Sequence, residues 1–170
     1  MAKGNIIHKL FASGPLLLLY YLSISEIDTN LEKLFEVFSI NLQIIIIYFW
    51  IIKRPNLMGP GHIFLAGLIN DVVMGFPLGI SSLSYLAVCF VGNYVRNKSV
   101  NTTIASDWFT FLVALFFANL LYFSLLNNFS DVTISYAKIG YNTFFTLFLF
   151  PVFWLLFNLY QMSFIGSQDA

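Results

Sequence analysis

Few side chains in this sequence are able to do chemistry, and one of them stands where a charge is costly. Asp71 interrupts an apolar stretch that begins at about His62, and a carboxylate near the centre of a bilayer costs several kcal/mol unless something holds it. Counted along a helix at about 1.5 Å per residue, it lies roughly 14 Å from that start, close to a membrane midplane. Gly75, Pro77 and Gly79 mark a turn after it, because Pro77 removes a backbone donor and disfavours helical geometry at Phe76. An antiparallel return then brings Ser82 and Ser84 to about the level of Asp71, so their hydroxyls are its expected partners, with Asn70 and Asn119 as further amide donors. No basic residue reaches that depth. Asp71 is therefore expected either to be protonated by desolvation or to pair with a group beyond this set, including one on another protein. Three roles fit it: a polar clamp between helices, a contact to a partner's membrane helix, or a step on a proton or substrate path. The last lacks the relay of ionisable residues that such paths use.

The other candidates are weaker. Gly67 and Gly75 stand one turn before and one turn after Asp71, a spacing of small residues that lets helices approach closely, although glycine is frequent in membrane helices in any case. His8 and His62 stand at predicted helix ends without clustered carboxylates or thiols, so they read as interfacial side chains and no metal site is expected. Cys89 is the single cysteine, which excludes an intramolecular disulfide and reads as a small buried apolar residue. The sequence has no Gly-rich phosphate loop, nucleophile elbow or zinc-protease motif. No catalytic residue and no cofactor site is expected.

The elements that must position these residues follow from composition. The chain has 170 residues, 59% hydrophobic, 19% aromatic and 9% charged, with a mean hydropathy of +0.82. A soluble domain of this length would carry about 42 charged side chains; this one has 8 basic and 8 acidic. So small a globule cannot hide that much apolar surface from water, and lipid is the expected solvent. Six apolar stretches, at about 6–24, 37–52, 62–76, 78–95, 108–126 and 139–160, predict an all-α integral membrane protein, one domain with about six spans. They do not alternate apolar and polar residues as barrel strands do. The third and fourth form either a hairpin turning at Gly75 to Gly79 or one broken helix.

Orientation comes from the basic residues. If all six stretches cross, Lys3, Lys9, Lys53, Arg54, Arg96 and Lys98 share one side and only Lys33 and Lys138 the other, which places both termini in the cytoplasm. The start of the chain resembles a secretory signal, with Lys3, Lys9, an apolar run and Ser23-Ile24-Ser25, but an uncleaved first helix explains the same pattern. The acidic segment Glu26–Glu36 reads as an interfacial amphipathic helix or as a solvated loop. Trp50, Trp108 and Tyr160 are expected as interfacial anchors.

From Arg54 to Tyr94, about a quarter of the chain, the pattern Arg54-Pro55, then Gly67-Leu68-Ile69-Asn70-Asp71-Val72-Val73-Met74-Gly75-Phe76-Pro77-Leu78-Gly79, then Tyr85 resembles the rod shape-determining protein MreD family. That family carries a Gly-Leu pair, an Asp three residues after the Leu, a Gly, and a Leu-Gly leading into the next helix. The Ile69-Asn70 pair before the Asp and the Asn- and Phe-rich composition depart from it, and the remaining helices match only in length, hydropathy and order. The resemblance implies a non-enzymatic component of the bacterial inner membrane, a compact bundle like the substrate-binding subunits of energy-coupling-factor transporters. It also implies a place in the cell-elongation complex, binding MreC by membrane-helix packing and acting indirectly with MreB, RodA and a class B penicillin-binding protein on lateral peptidoglycan synthesis. Gly67, Asn70, Asp71, Gly75, Pro77, Gly79, Ser82 and Ser84 are then the expected packing or partner residues. The competing reading is a vitamin-binding transporter subunit, which needs several convergent polar groups, sparse here outside Asp71, Asn70 and the serines. An integral membrane enzyme lacks facing acids or a metal cluster, and nothing points to nucleic acid.

Overall fold

The structure, a computed structural model, describes residues 13–25, 41–98, 103–129 and 136–165. Among these residues there are six α-helices and no strand: α1 Gly14–Ile24, α2 Leu42–Lys53, α3 Pro60–Met74, α4 Ile80–Lys98, α5 Ile104–Phe129 and α6 Tyr136–Tyr160, which runs on into a π-helical turn, Gln161–Ile165. Each helix falls on one of the six predicted stretches. The segment Glu26–Glu36, His8, Lys3, Lys9 and Lys33 lie outside the described residues.

The core is built around α2. Every residue from Ile44 to Ile52 is buried, which suits a helix that is apolar on all sides and belongs in the middle of a bundle. Helices α1, α4, α5 and α6 surround it, while α3 packs on α1 and α4. Trp50 is only 1% exposed, with its ring edge-on to Tyr160 and tilted against Phe157. The expectation of an interfacial Trp50 is therefore corrected: the centre of α2 has no outward face on which an anchor could sit. Asn41 starts the helix by accepting the Ile44 N–H at 3.2 Å, and its own N–H is taken by Thr146 Oγ1 on α6.

Helices α5 and α6 have 26 and 25 residues, so at about 1.5 Å per residue each exceeds the roughly 30 Å of a bilayer's hydrocarbon. By length and composition they are the two helices among the described residues that are long and apolar enough to cross a membrane on their own. Their outer faces expose Phe109, Phe116, Leu120, Phe144, Phe148 and Leu155. Inside, Phe111 and Phe150 stack at 4.2 Å between centroids, with Tyr48 of α2 edge-on to both.

Pro151 lies within α6 and lacks the N–H that would bond the carbonyl four residues back, at Leu147. Trp108 of α5 takes over that role, donating its indole N–H to Leu147 O at 2.9 Å. The predicted anchor thus joins two helices at a proline. Trp108→Phe should cost about 2 kcal/mol by leaving the carbonyl without a donor. Adding Pro151→Ala, which restores the backbone N–H, should recover part of that loss; thermal unfolding of the two single variants and the double variant checks it, and a simple sum of the single effects would refute the pairing.

Helices α2 and α4 run parallel. Tyr85 OH donates to Gln43 Oε1 near both starts at 2.7 Å, and Gly92 packs against Ile51 near the end of α2. Lys53, Arg54, Arg96 and Lys98 consequently gather at one end of the bundle, and Lys138 stands in the first turn of α6, at the other.

Candidate functional site

The α3–α4 hairpin carries the residues that the sequence singles out. Helix α3 ends in a left-handed Gly75, φ 67°, with Phe76 N–H bonded to Asp71 O at 2.9 Å and Gly75 N–H to Val72 O at 3.3 Å. This pair of bonds closes a helix on a glycine, which reaches positive φ without Cβ strain. Pro77 follows in the turn, and Gly79, φ 106°, leads into α4. The choice between hairpin and broken helix resolves to a hairpin. Gly75 serves as this cap and not as a packing notch, since a Cβ on it would meet nothing within 4 Å. Gly67 is the packing notch: a Cβ there would lie 2.4 Å from Ser82 Cα and 2.6 Å from Ser82 N, so the two backbones touch.

Asp71 is 0% exposed. Its Oδ2 accepts the Gly79 N–H and its Oδ1 the Ser81 N–H, each at 2.8 Å. One residue thereby closes two helix ends, its carbonyl the end of α3 and its carboxylate the start of α4. The start of a helix presents unsatisfied N–H groups and a positive dipole end, which suits an anionic oxygen. Two expectations are corrected here. The partners are backbone amides and not the Ser82 and Ser84 hydroxyls, because α4 begins at Ile80 and its first turn stands level with Asp71. Asp71 also lies only three residues from the end of α3, near the hairpin tip and away from the middle of the bundle.

The serines fasten other joints. Ser82 Oγ donates to Phe64 O on α3 and Ser84 Oγ to Ala118 O on α5, both at 3.0 Å. Asn70 donates to Ser81 Oγ at 3.0 Å and accepts from Gln43 Nε2 at 3.1 Å. Gln43 also donates to Leu22 O at 3.1 Å and accepts from Tyr85 OH, so α1, α2, α3 and α4 meet in one polar chain. Sequence reasoning missed Gln43, although a lone amide at the start of an Ile run was a usable signal. Asn119 is elsewhere, donating to Thr143 Oγ1 on α6 at 2.8 Å.

A second buried acid went unforeseen. Asp107, in the first turn of α5, is 1% exposed. Its Oδ2 accepts the Trp154 indole N–H at 2.9 Å and lies 3.6 Å from Lys53 Nζ, while Lys53 sits over the Trp154 ring at 5.3 Å from its centroid. The group ties the end of α2 to α5 and α6. Asp71 is thus one of two buried carboxylates among the described residues, and the expectation of a single one is corrected. Removing one member of a buried pair strands the other. Lys53→Gln should lower stability by about 2 kcal/mol, less than for a fully enclosed pair because the lysine keeps some contact with solvent. Lys53→Gln combined with Asp107→Asn should recover part of it in thermal unfolding; a double variant as unstable as the sum would deny the coupling.

Of the predicted residues, Gly67, Asn70, Asp71, Gly75, Pro77, Gly79 and Ser82 come together in one hairpin, and Ser84 turns to α5. Cys89 is buried, with Asn93 Nδ2 at 3.4 Å from its sulfur, and His62 is hydrogen bonded with Tyr20 OH at 3.0 Å. Among the described residues no three His, Cys, Asp or Glu side chains stand close enough to share a metal ion. The arrangement joins helices rigidly through caps, a backbone contact and amide bonds. Compared with known proteins, the chain matches no family model, no curated protein and no solved structure.

Proposed function

We propose that this chain is a non-enzymatic, multi-pass component of the bacterial inner membrane that acts in the cell-elongation complex by packing its helices against MreC. The observation that carries the proposal is the use made of the Gly67–Gly79 pattern. Gly67 admits the neighbouring backbone, Asp71 caps both helices, Gly75 takes the left-handed turn, and Gly79 donates to Asp71. These four positions of the MreD-like pattern each have a physical task in one hairpin, as a pattern that preserves a scaffold would. The apolar length of α5 and α6 supports placement in a membrane, with Lys53, Arg54, Arg96 and Lys98 marking the cytoplasmic end.

The polar interior favours a scaffold over a vitamin-binding subunit. A ligand site needs polar groups that converge on an occupant, whereas Gln43, Asn70, Ser81 and Tyr85 bond one another. The chain would then hold MreC in register with MreB beneath the membrane and with RodA and its penicillin-binding partner above it. Depleting the protein from its rod-shaped host should give round cells and disperse MreC. Depleted cells that stay rod-shaped with MreC in place would refute the proposal.

A further inference from the structure

One face of α4 has a task that the hairpin does not use. Ser82 is bonded to α3 and Ser84 to α5, so Leu83 between them points outward between those two helices. From Leu83 the outward positions recur at helical spacing through Ala87, Phe90 and Tyr94 to Lys98, with Phe90 74% and Tyr94 57% exposed. From Leu83 to Tyr94 this stripe rises about 16 Å, roughly half the hydrocarbon thickness of a bilayer and so the length of one leaflet.

The charged end matches a lipid headgroup. Lys98 Nζ lies over the Tyr94 ring at 5.3 Å from its centroid, an aromatic and a cation stacked at the depth where headgroups sit. Arg54 and Arg96 share this end of the bundle, and Arg96 Nη1 is buried with no hydrogen-bond partner. The one acid described nearby, Asp107, is held by Lys53 and Trp154, and among the described residues no acid pairs with Lys98 or Arg96. We propose that the α4 stripe seats an acyl chain of one anionic phospholipid, with its phosphate at Lys98 under the positive field of Arg54 and Arg96. The basic side chains gathered at that end of the stripe favour an anionic lipid over an apolar partner helix.

This inference rests on the membrane reading, and the test separates the two. The full-length protein is reconstituted into vesicles of phosphatidylcholine alone or with one fifth phosphatidylglycerol, and the lipid that stays with it after detergent extraction is identified by native mass spectrometry. Phosphatidylglycerol should be retained in preference. Lys98→Gln, an exposed change, should reduce that preference about fivefold, and Lys98→Glu about 25-fold, since each basic residue near an anionic surface contributes a factor of about five. Lys138→Gln, at the other end, should leave it unchanged. Failure to enter phosphatidylcholine vesicles would overturn the membrane reading and the inference with it. Entry without preference, or equal losses with Lys98→Gln and Lys138→Gln, would overturn the inference alone. Displacement of the retained lipid by soluble glycerol phosphate would show a phosphate site without an acyl seat and would also overturn it.

Discussion

Asp71→Ala should destabilise the protein by about 4 kcal/mol, because it removes the acceptor of two amides at once, one buried and one partly buried. Hydrogen bonds to a charged group contribute about 1.5–3 kcal/mol each, and a buried donor left without a partner adds its own penalty. The buried Ser81 N–H and the partly buried Gly79 N–H would be left at the start of α4 without their acceptor. Asp71→Asn keeps one acceptor but turns an NH2 toward the other amide, so it should lose about half as much. For a chain of this size the alanine variant should melt roughly 10 °C lower in detergent. A melting temperature equal to that of the unaltered protein would show that the cap does not hold the hairpin.

Gly67→Val should have an effect of similar size by a different route. A Cβ at position 67 would sit 2.4 Å from Ser82 Cα, and backbone cannot move aside as the end of a flexible side chain can. The helices must separate, lengthening the bond from Ser82 Oγ to Phe64 O and tilting Asp71 away from Gly79. Overpacking a well-packed contact costs about 1–3 kcal/mol, and the strained polar joints raise the expected loss to about 4 kcal/mol. Gly61→Ala is the matched control, because nothing lies within 4 Å of its added methyl. Thermal unfolding of both variants, with the yield of folded protein after extraction, tests the contact. Equal stability of Gly67→Val and Gly61→Ala would refute the close approach.

How much of this was legible in the sequence depended on which groups carried the signal. The six helices were readable from runs without charge, and the turn from Gly75, Pro77 and Gly79, whose backbone preferences are local. The level of Asp71 relative to the returning helix was nearly right. Its partners were hidden because backbone N–H groups belong to every residue, and no residue type advertises the first turn of a helix as a carboxylate site. Asp107 was missed for a related reason: it stands just outside the uncharged stretch predicted from Trp108, whereas α5 begins three residues before it, at Ile104. Trp50 was misplaced because hydropathy cannot distinguish a lipid-facing helix from one enclosed by its neighbours. Burial along the whole of α2 is a property of the packing and not of its own residues. The link between Pro151 and Trp108 joins residues far apart in sequence, and neither shows it alone.

The measurement that bears most directly on the proposed scaffold role is co-purification from native membranes. The tagged full-length protein, extracted in mild detergent from its host's membranes, should on this proposal bring down MreC in near-equal amount, and Gly67→Val should reduce that recovery together with its stability. Recovery of a transport ATPase with no MreC would contradict the role and favour the small-molecule binding alternative.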